Sequence, residues 1–201
     1  MDAPRVLPAG DRAVLVEVGD THQALAVAAA IRGRDGIEDV VPGHRTVLVT
    51  WEPGRRAPTV DWAALVRERS DDVVPDELAL PVCYDGADLA HVAELTGLSP
   101  EAVVARHRSA EYLVAFVGFA PGFAYLTGGD PVLAVPRRAE PRTKVPAGSV
   151  ALGGPYTAVY PGESPGGWQL IGRTTAVMFD PRREPPALLR PGMRVRIEET
   201  A

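Results

Sequence analysis

With a single cysteine, Cys83, this 201-residue chain has no means of forming an internal disulfide or a site built from several thiolates. Cys83 lies in a strand-like run with Leu80 and Val82, which reads as a small packed residue before a nucleophile. Long apolar runs are missing too. The longest helical one, Ala24 to Ile31, falls far short of the ~20 residues that span a bilayer. Met1 to Gly10 lacks the basic-then-apolar order of a secretion signal, so the expected location is the cytoplasm. Positive charge is in deficit: 21 Lys and Arg face 26 Asp and Glu, a net charge of −5. Nothing in that balance attracts nucleic acid or an anionic membrane, and neither is expected as a partner. No Walker-type phosphate loop, His-Glu-x-x-His, Rossmann glycine fingerprint or Gly-x-Ser-x-Gly elbow occurs, and no repeat or low-complexity tract. Catalytic residues are therefore not identifiable from motifs, and no metal site is visible.

What is present is ordinary globular material, 46% hydrophobic and 23% charged, long enough for one large domain or two small ones. Arg12 to Val18 alternates with period two, as a half-buried strand does, and Asp20 or Thr21 can cap a helix running to about Arg34. Gly36 can end that helix. Ile37 to Val41 and Thr46 to Trp51, parted by Pro42 and Gly43, read as a hairpin, and a second helix is expected from Val60 to about Arg69. The order strand, strand, helix, strand, strand, helix suits a small antiparallel sheet with helices on one face. The acidic stretch Ser70 to Glu77, with Pro75, marks a linker. The boundaries are thus a small α+β domain over residues 1–75 and a second domain over 76–201.

The second domain opens with the strand Leu78 to Tyr84 and a helical hairpin. Asp88 to Leu95 is amphipathic, and Ser99, Pro100 and Glu101 supply an N-cap, a first-turn proline and an acidic first turn for a helix to about Ser109. Beyond it, twelve of the 20 prolines fall between Pro121 and Pro191, and nine of the twelve aromatics lie from Tyr112 onward. Short apolar runs at Leu113–Phe119, Ser149–Leu152, Thr157–Tyr160, Trp168–Ile171, Ala176–Phe179 and Arg194–Ile197, divided by Gly and Pro turns, predict a closed or nearly closed β-barrel.

Four segments ask for a reason. Gly118 to Phe123 sets Phe119 and Phe123 around Pro121-Gly122. Such rings either plug a barrel end or face a partner, since each left in water forgoes roughly 1.5 to 3 kcal/mol. Pro136-Arg137-Arg138 and Pro141-Arg142 form a basic patch whose planar forks suit carboxylate or phosphate groups, the alternative being solvated loop charge. In Val145 to Val150, Gly148 allows close backbone approach and Ser149 can hydrogen-bond an anionic oxygen. Ser164 to Trp168, with the pair Gly166-Gly167 beside Trp168, admits a flat ligand or a tight strand crossing. His107, at a helix C-terminus, either meets the helix dipole or serves chemistry.

Taken in order, these segments resemble one family: the 5-oxoprolinase B subunit, allophanate hydrolase subunit 1 and sporulation kinase inhibitor, also seen within the carboxyltransferase region of urea carboxylase (subdomains C and D). The resemblance is carried by Pro81 to Tyr84, Asp88-Leu89, Val92-Ala93, Leu98-Ser99, His107, Gly118 to Phe123, Tyr125-Leu126, Pro136-Arg137, Pro141-Arg142, Val145 to Val150, Ser164 to Trp168 and Gly172 to Thr174. It implies an α+β chain with an N-terminal ferredoxin-like domain and a cyclophilin-like β-barrel. It further implies a companion subunit with a related barrel, possibly a third subunit, and ATP-dependent opening of 5-oxoproline to glutamate, with ATP bound in the assembled complex. By the same resemblance Arg137, Arg142, Ser149, Arg173 and His107 are substrate-binding candidates, and Phe119, Pro121, Gly122, Phe123, Gly148, Gly166, Gly167 and Trp168 form a cleft or partner surface. Three positions depart from the family pattern: Tyr156 stands for glutamine, Ala158 for glycine and Gly129 for leucine. The alternative function is a regulatory module that inhibits a sensor histidine kinase through the Gly118 to Phe123 surface.

Overall fold

The computed structural model describes residues 4–67 and 76–200. The chain divides into two compact units, residues 1–74 and 75–201.

In the first unit the alternating segment becomes β2 (Ala13–Glu17), preceded by a short edge strand β1 (Arg5–Pro8). Helix α1 (Thr21–Ile31) follows, capped by Asp20, whose carboxylate accepts from the Gln23 amide at 2.8 Å. It stops three residues short of the expected end because Gly33 already takes a left-handed φ of 79°. The hairpin forms as β3 (Ile37–Pro42) and β4 (Thr46–Trp51), and α2 covers Trp62–Arg67. Helix α2 begins two residues later than expected, where the Asp61 carboxylate accepts from the Ala64 amide at 2.9 Å; residues 68–69 of the expected helix and most of the Ser70–Glu77 linker lie outside the described residues. The sheet order is β1-β2-β4-β3, antiparallel throughout, with Val16, Val27, Ile31, Val47 and Val49 fully buried between sheet and helix. The chain order is ββαββα. The place beside β2 that the last strand of a ferredoxin-like βαββαβ unit takes is filled by β1.

The second unit is built on a seven-stranded curled sheet. Its strands are β5 (Glu77–Val82), β6 (Glu111–Val117), β7 (Ala124–Thr127), β9 (Ser149–Gly153), β10 (Tyr156–Val159), β12 (Gln169–Arg173) and β13 (Arg194–Glu199), in the order β12-β9-β10-β7-β6-β13-β5. Only the β5/β13 pair is parallel. The sheet curls until its two outer strands meet: Cys83, just past β5, exchanges both backbone hydrogen bonds with Arg173 of β12, at 2.9 and 2.8 Å. The Gly86 and Asp88 amides continue the seam onto the Ile171 and Leu170 carbonyls. Helices α3 (Leu89–Thr96) and α4 (Pro100–Ser109) form the expected hairpin, with the Ser99 hydroxyl accepting from the Ala102 amide.

Strand β9 is buried along its whole length because it has a core on each side. Val150 and Leu152 face the interior with Leu80, Val114, Leu126 and Ile171, while Ala151 faces an outer cluster with Phe123, Ala158, Tyr160 and Trp168. A two-stranded ribbon, β8 (Arg142–Val145) with β11 (Ser164–Gly166), contributes Val145 to that outer cluster. Ala176–Phe179, expected as a strand, makes only an isolated bridge between Phe179 and Ala187; the backbone there serves as a loop stapled by Arg183, which donates to the Val177, Met178 and Pro186 carbonyls.

The seam leaves no space at Gly86, where a methyl group would sit 2.3 Å from the Ile171 carbonyl carbon. Gly86→Ala is expected to cost about 2–4 kcal/mol in urea-unfolding measurements, from forced backbone displacement. Gly162→Ala, with no atom within 4 Å of the added carbon, is the control and should change stability by under about 1 kcal/mol.

Candidate functional site

The charged centre of the second unit is Asp88, 3% exposed at the start of α3. Its carboxylate accepts two hydrogen bonds from the Arg142 guanidinium, at 2.7 and 2.8 Å, one from Arg138 at 2.9 Å, and one from the Leu170 amide at 2.7 Å. Burial by itself would raise the Asp88 pKa; the hydrogen bonds from Arg142 and the Leu170 amide, with both arginine charges, outweigh it and hold the carboxyl below its ordinary range. Arg142, a candidate for binding substrate, thus spends its planar fork inside the protein. The sequence placed Arg138 and Arg142 in a basic patch and Asp88 among the residues that carry the resemblance, but not their pairing, because Arg138 and Arg142 lie 50 and 54 residues from Asp88. A carboxylate just before a helix reads as a cap, yet Asp88 makes no side-chain cap bond.

The outer face of the sheet carries an aromatic wall. Phe116 stacks on Tyr125 with ring centroids 4.3 Å apart, and Tyr156 meets both edge-on at 5.6 Å. The wall continues through Phe123 to Tyr160 and Trp168, edge-on at 5.3 and 5.7 Å. Glycines let the last two rings lie close to backbone: a methyl group on Gly153 would fall 2.4 Å from the Trp168 ring, and one on Gly166 would fall 2.3 Å from the Tyr160 hydroxyl. The tight packing around Gly166 is thereby filled by the protein's own ring. Arg137 lies over Trp168, its guanidinium carbon 5.6 Å from the ring centroid. Among the described residues Arg137 has no carboxylate partner, unlike Arg142 and Arg173. Burial raises the Tyr160 pKa, against lowering contributions from the Trp168 amide and the charges of Arg137 and Arg142.

The remaining candidates are placed apart from Arg137 in function. Ser149 is buried and donates its hydroxyl to the Pro146 carbonyl at 2.8 Å. Gly148 is a backbone junction, donating to Tyr160 and accepting from Thr174; a methyl group there would lie 2.4 Å from the Thr174 carbonyl. Gly167 accepts from the Arg138 amide. Arg173 is exposed and paired with Asp85 at 2.5 Å. His107 is fully buried, which removes it from any surface a substrate reaches and equally from the role of a charged helix terminus. Its Nδ1 is 2.7 Å from the Tyr84 hydroxyl and its Nε2 2.8 Å from Thr157 Oγ1. Because Thr157 donates onward to the Ala151 carbonyl, the consistent tautomer is Nε2–H to Thr157 with Tyr84 donating to Nδ1.

At the opposite end of β6 and β7, the Gly118–Phe123 turn projects Phe119 into solvent, 64% exposed, with a left-handed φ of 69° that bulky residues rarely adopt. Its ring leans edge-on against buried Phe123. Beside it lies an apolar groove of about 480 Å³ lined by Val117, Pro121, Gly122, Phe179 and Leu189 among others. Val117, Val177 and Phe179 are exposed as well.

Residues 4–189 match the carboxyltransferase domain, subdomain C and D. The chain belongs to that family. It is 35% identical to the 5-oxoprolinase B subunit of Haemophilus influenzae, over 95% of both chains. It is 54% identical over 134 residues to the 5-oxoprolinase B subunit of Escherichia coli O157:H7, a match spanning 64% of this chain and 62% of that one, under two thirds of either. Among solved structures, TTHA0988 superposes with a TM-score of 0.82 and 38% identity, over 95% of this chain and 40% of that much longer one. Among the described residues no helix is long and apolar enough to cross a membrane.

Asp88→Asn leaves two guanidinium groups without their counter-charge, and urea unfolding should show a loss of about 3–5 kcal/mol. Burial pushes His107 down to about 3 from 6.5, so between those values the unfolded chain holds a proton that the folded chain does not. The stability linked to this group is therefore complete above about pH 6.5 and falls as pH drops toward 3, by up to ~1.4 kcal/mol per unit. His107→Gln should lower the plateau but flatten that slope when unfolding midpoints are compared from about pH 7 to about pH 4.

Proposed function

We propose that this chain is one subunit of a heteromeric, ATP-dependent amide hydrolase of the 5-oxoprolinase type, inactive alone and completed by a companion subunit with a related barrel. The observation that carries the reading is Phe119. Holding a bulky residue at positive φ costs on the order of 1–2 kcal/mol, and leaving its ring in water forgoes roughly 1.5–3 kcal/mol more. The edge-on contact with Phe123 still leaves Phe119 64% exposed, so most of the second term is unrecovered within the described residues, and a partner inserting beside the ring and filling the adjacent groove would recover it. Relatives named as a subunit, and a solved relative in which the same fold continues into a far longer chain, support a protein partner for this surface. We read the curled sheet as cyclophilin-like and assign ATP to the assembled complex.

Substrate anion binding falls to Arg137 on this reading. Arg142 and Ser149 are engaged inside the protein and Arg173 is paired with Asp85 at the surface, which leaves the Arg137 guanidinium, oriented by Trp168, to take a carboxylate or phosphate oxygen. Opening a stable five-membered lactam is uphill without coupling, so ATP cleavage supplies the drive.

The test is co-expression with the companion subunits and measurement of ATP-dependent glutamate release from 5-oxoproline, with this chain omitted as control. Phe119→Asp should abolish co-purification and turnover together. Arg137→Ala should preserve assembly yet lower kcat/KM for 5-oxoproline about 10- to 100-fold, as loss of a charge-assisted pair does. The Gly118–Phe123 surface could alternatively grip a helical bundle of a sensor histidine kinase. Failure to assemble together with inhibition of kinase autophosphorylation, lost in Phe119→Asp, would replace the subunit reading with that one.

A further inference from the structure

A second cavity lies at the other end of β6 and β7 from Phe119. It holds about 170 Å³, where β6 begins, β7 and β9 end and β10 begins, so it is a mouth of the curled sheet. Tyr112, Leu133, Leu152 and Thr157, all at most 4% exposed, contribute to its lining, and Thr127 and Tyr156 are half-buried there. Barrel mouths of this kind are common sites for small ligands.

Its chemistry selects against charge. The one ionisable carboxyl on the lining, Asp130, is closed off: one oxygen accepts from the Val132 amide at 2.9 Å and the other from Arg106 at 2.6 Å. The hydroxyls of Tyr112 and Thr157 are tied to the His107 carbonyl and ring, while the Thr127 hydroxyl bonds to no described residue. The apolar surfaces of Pro131, Leu133, Leu152 and Pro155 complete the wall.

Gly129 keeps the space open. Its neighbour Gly128 needs to be glycine, with φ of 98° and the Glu111 carbonyl 2.6 Å from where a methyl group would stand. Gly129 has no such backbone demand; a methyl group there would press on the Tyr112 ring at 3.1 Å, so a side chain at this position occupies the room beside Tyr112.

The geometry points to a binding site for a small uncharged molecule with an apolar body and one amide or hydroxyl group, held through Thr127 and the Tyr112 face. The volume equals that of about five or six waters, which sets the size of the ligand. This site is separate from Arg137 and from the Phe119 surface, and it does not depend on the proposed place of the chain in a larger enzyme.

The experiment is an amide-resolved NMR titration of the chain with 2-pyrrolidinone, a neutral cyclic amide of suitable size, and with acetate as a charged comparator. The site requires saturable shifts, with millimolar affinity, at Thr127, Gly129 and Thr157 for the neutral probe and none for acetate. Gly129→Leu should abolish them while the rest of the spectrum stays native, and Thr127→Val should weaken binding at least threefold. Thr127→Val carries the test if Gly129→Leu does not fold. No saturable shift at tens of millimolar probe, shifts confined to other surfaces, or an undiminished response in the two variants would overturn the inference.

Discussion

Three stretches of the second unit that fold locally are locked together by one carboxylate. Asp88 begins α3, receives Arg138 and Arg142 from the arm that leads into β8, and receives the Leu170 amide from β12. A carboxylate 3% exposed survives in that position only because four hydrogen bonds and two positive charges compensate its lost hydration. This arrangement restricts what the arginines can do: those that looked suited to a ligand anion hold the helical hairpin to the sheet. Arg137, one residue from Arg138 but on the Trp168 side, escapes that duty.

The same lock explains why the sheet has two cores. With the β8–β11 ribbon fastened near Asp88, Val145 is pinned over the outer face of β9 and β10, where Ala151, Gly153 and Ala158 are small enough to receive the Trp168 and Tyr160 rings. Ala158, where the resemblance expects glycine, is fully buried in this layer, so its methyl group is accommodated as packing. Tyr156 stands at the edge of the layer, touching both the aromatic wall and the neutral mouth of the sheet.

Much of the architecture could be read from local chemistry. The Asp20 and Ser99 caps, the Ile37–Trp51 hairpin and the helical hairpin all depend on neighbours within a few residues, which is the range over which caps, turns and periodicity operate. Short strands without alternation, β8 and β11, carry no such signal, and β7 hides behind the Pro121-Gly122 turn. Phe116 shows the limit well. Strict alternation from Tyr112 and Val114 would send it inward, but a register shift after Val114 turns it to the outer face against Tyr125. The site suffered most from this limit. The resemblance marked Arg137, Arg142, Ser149, Arg173 and His107 as able to bind; Ser149 is taken by Pro146 three residues away, but for Arg142, Arg173 and His107 only pairing across tens of residues determines that they are already occupied.

The two ends of β6 and β7 present two different surfaces. One end presents Phe119 and an apolar groove, where burial by another protein returns free energy; the other presents the small cavity lined by Tyr112, Thr127 and Tyr156. Rigid strands of four to seven residues separate them, with Val114, Ala115, Ala124 and Leu126 all at most 1% exposed between. A core packed that closely transmits position well and bends little. Arg137 is tied to the Phe119 turn by a shorter route, through Trp168 on Phe123 at 5.7 Å and Phe123 on Phe119 at 5.2 Å, so one aromatic cluster positions both the guanidinium and the exposed ring.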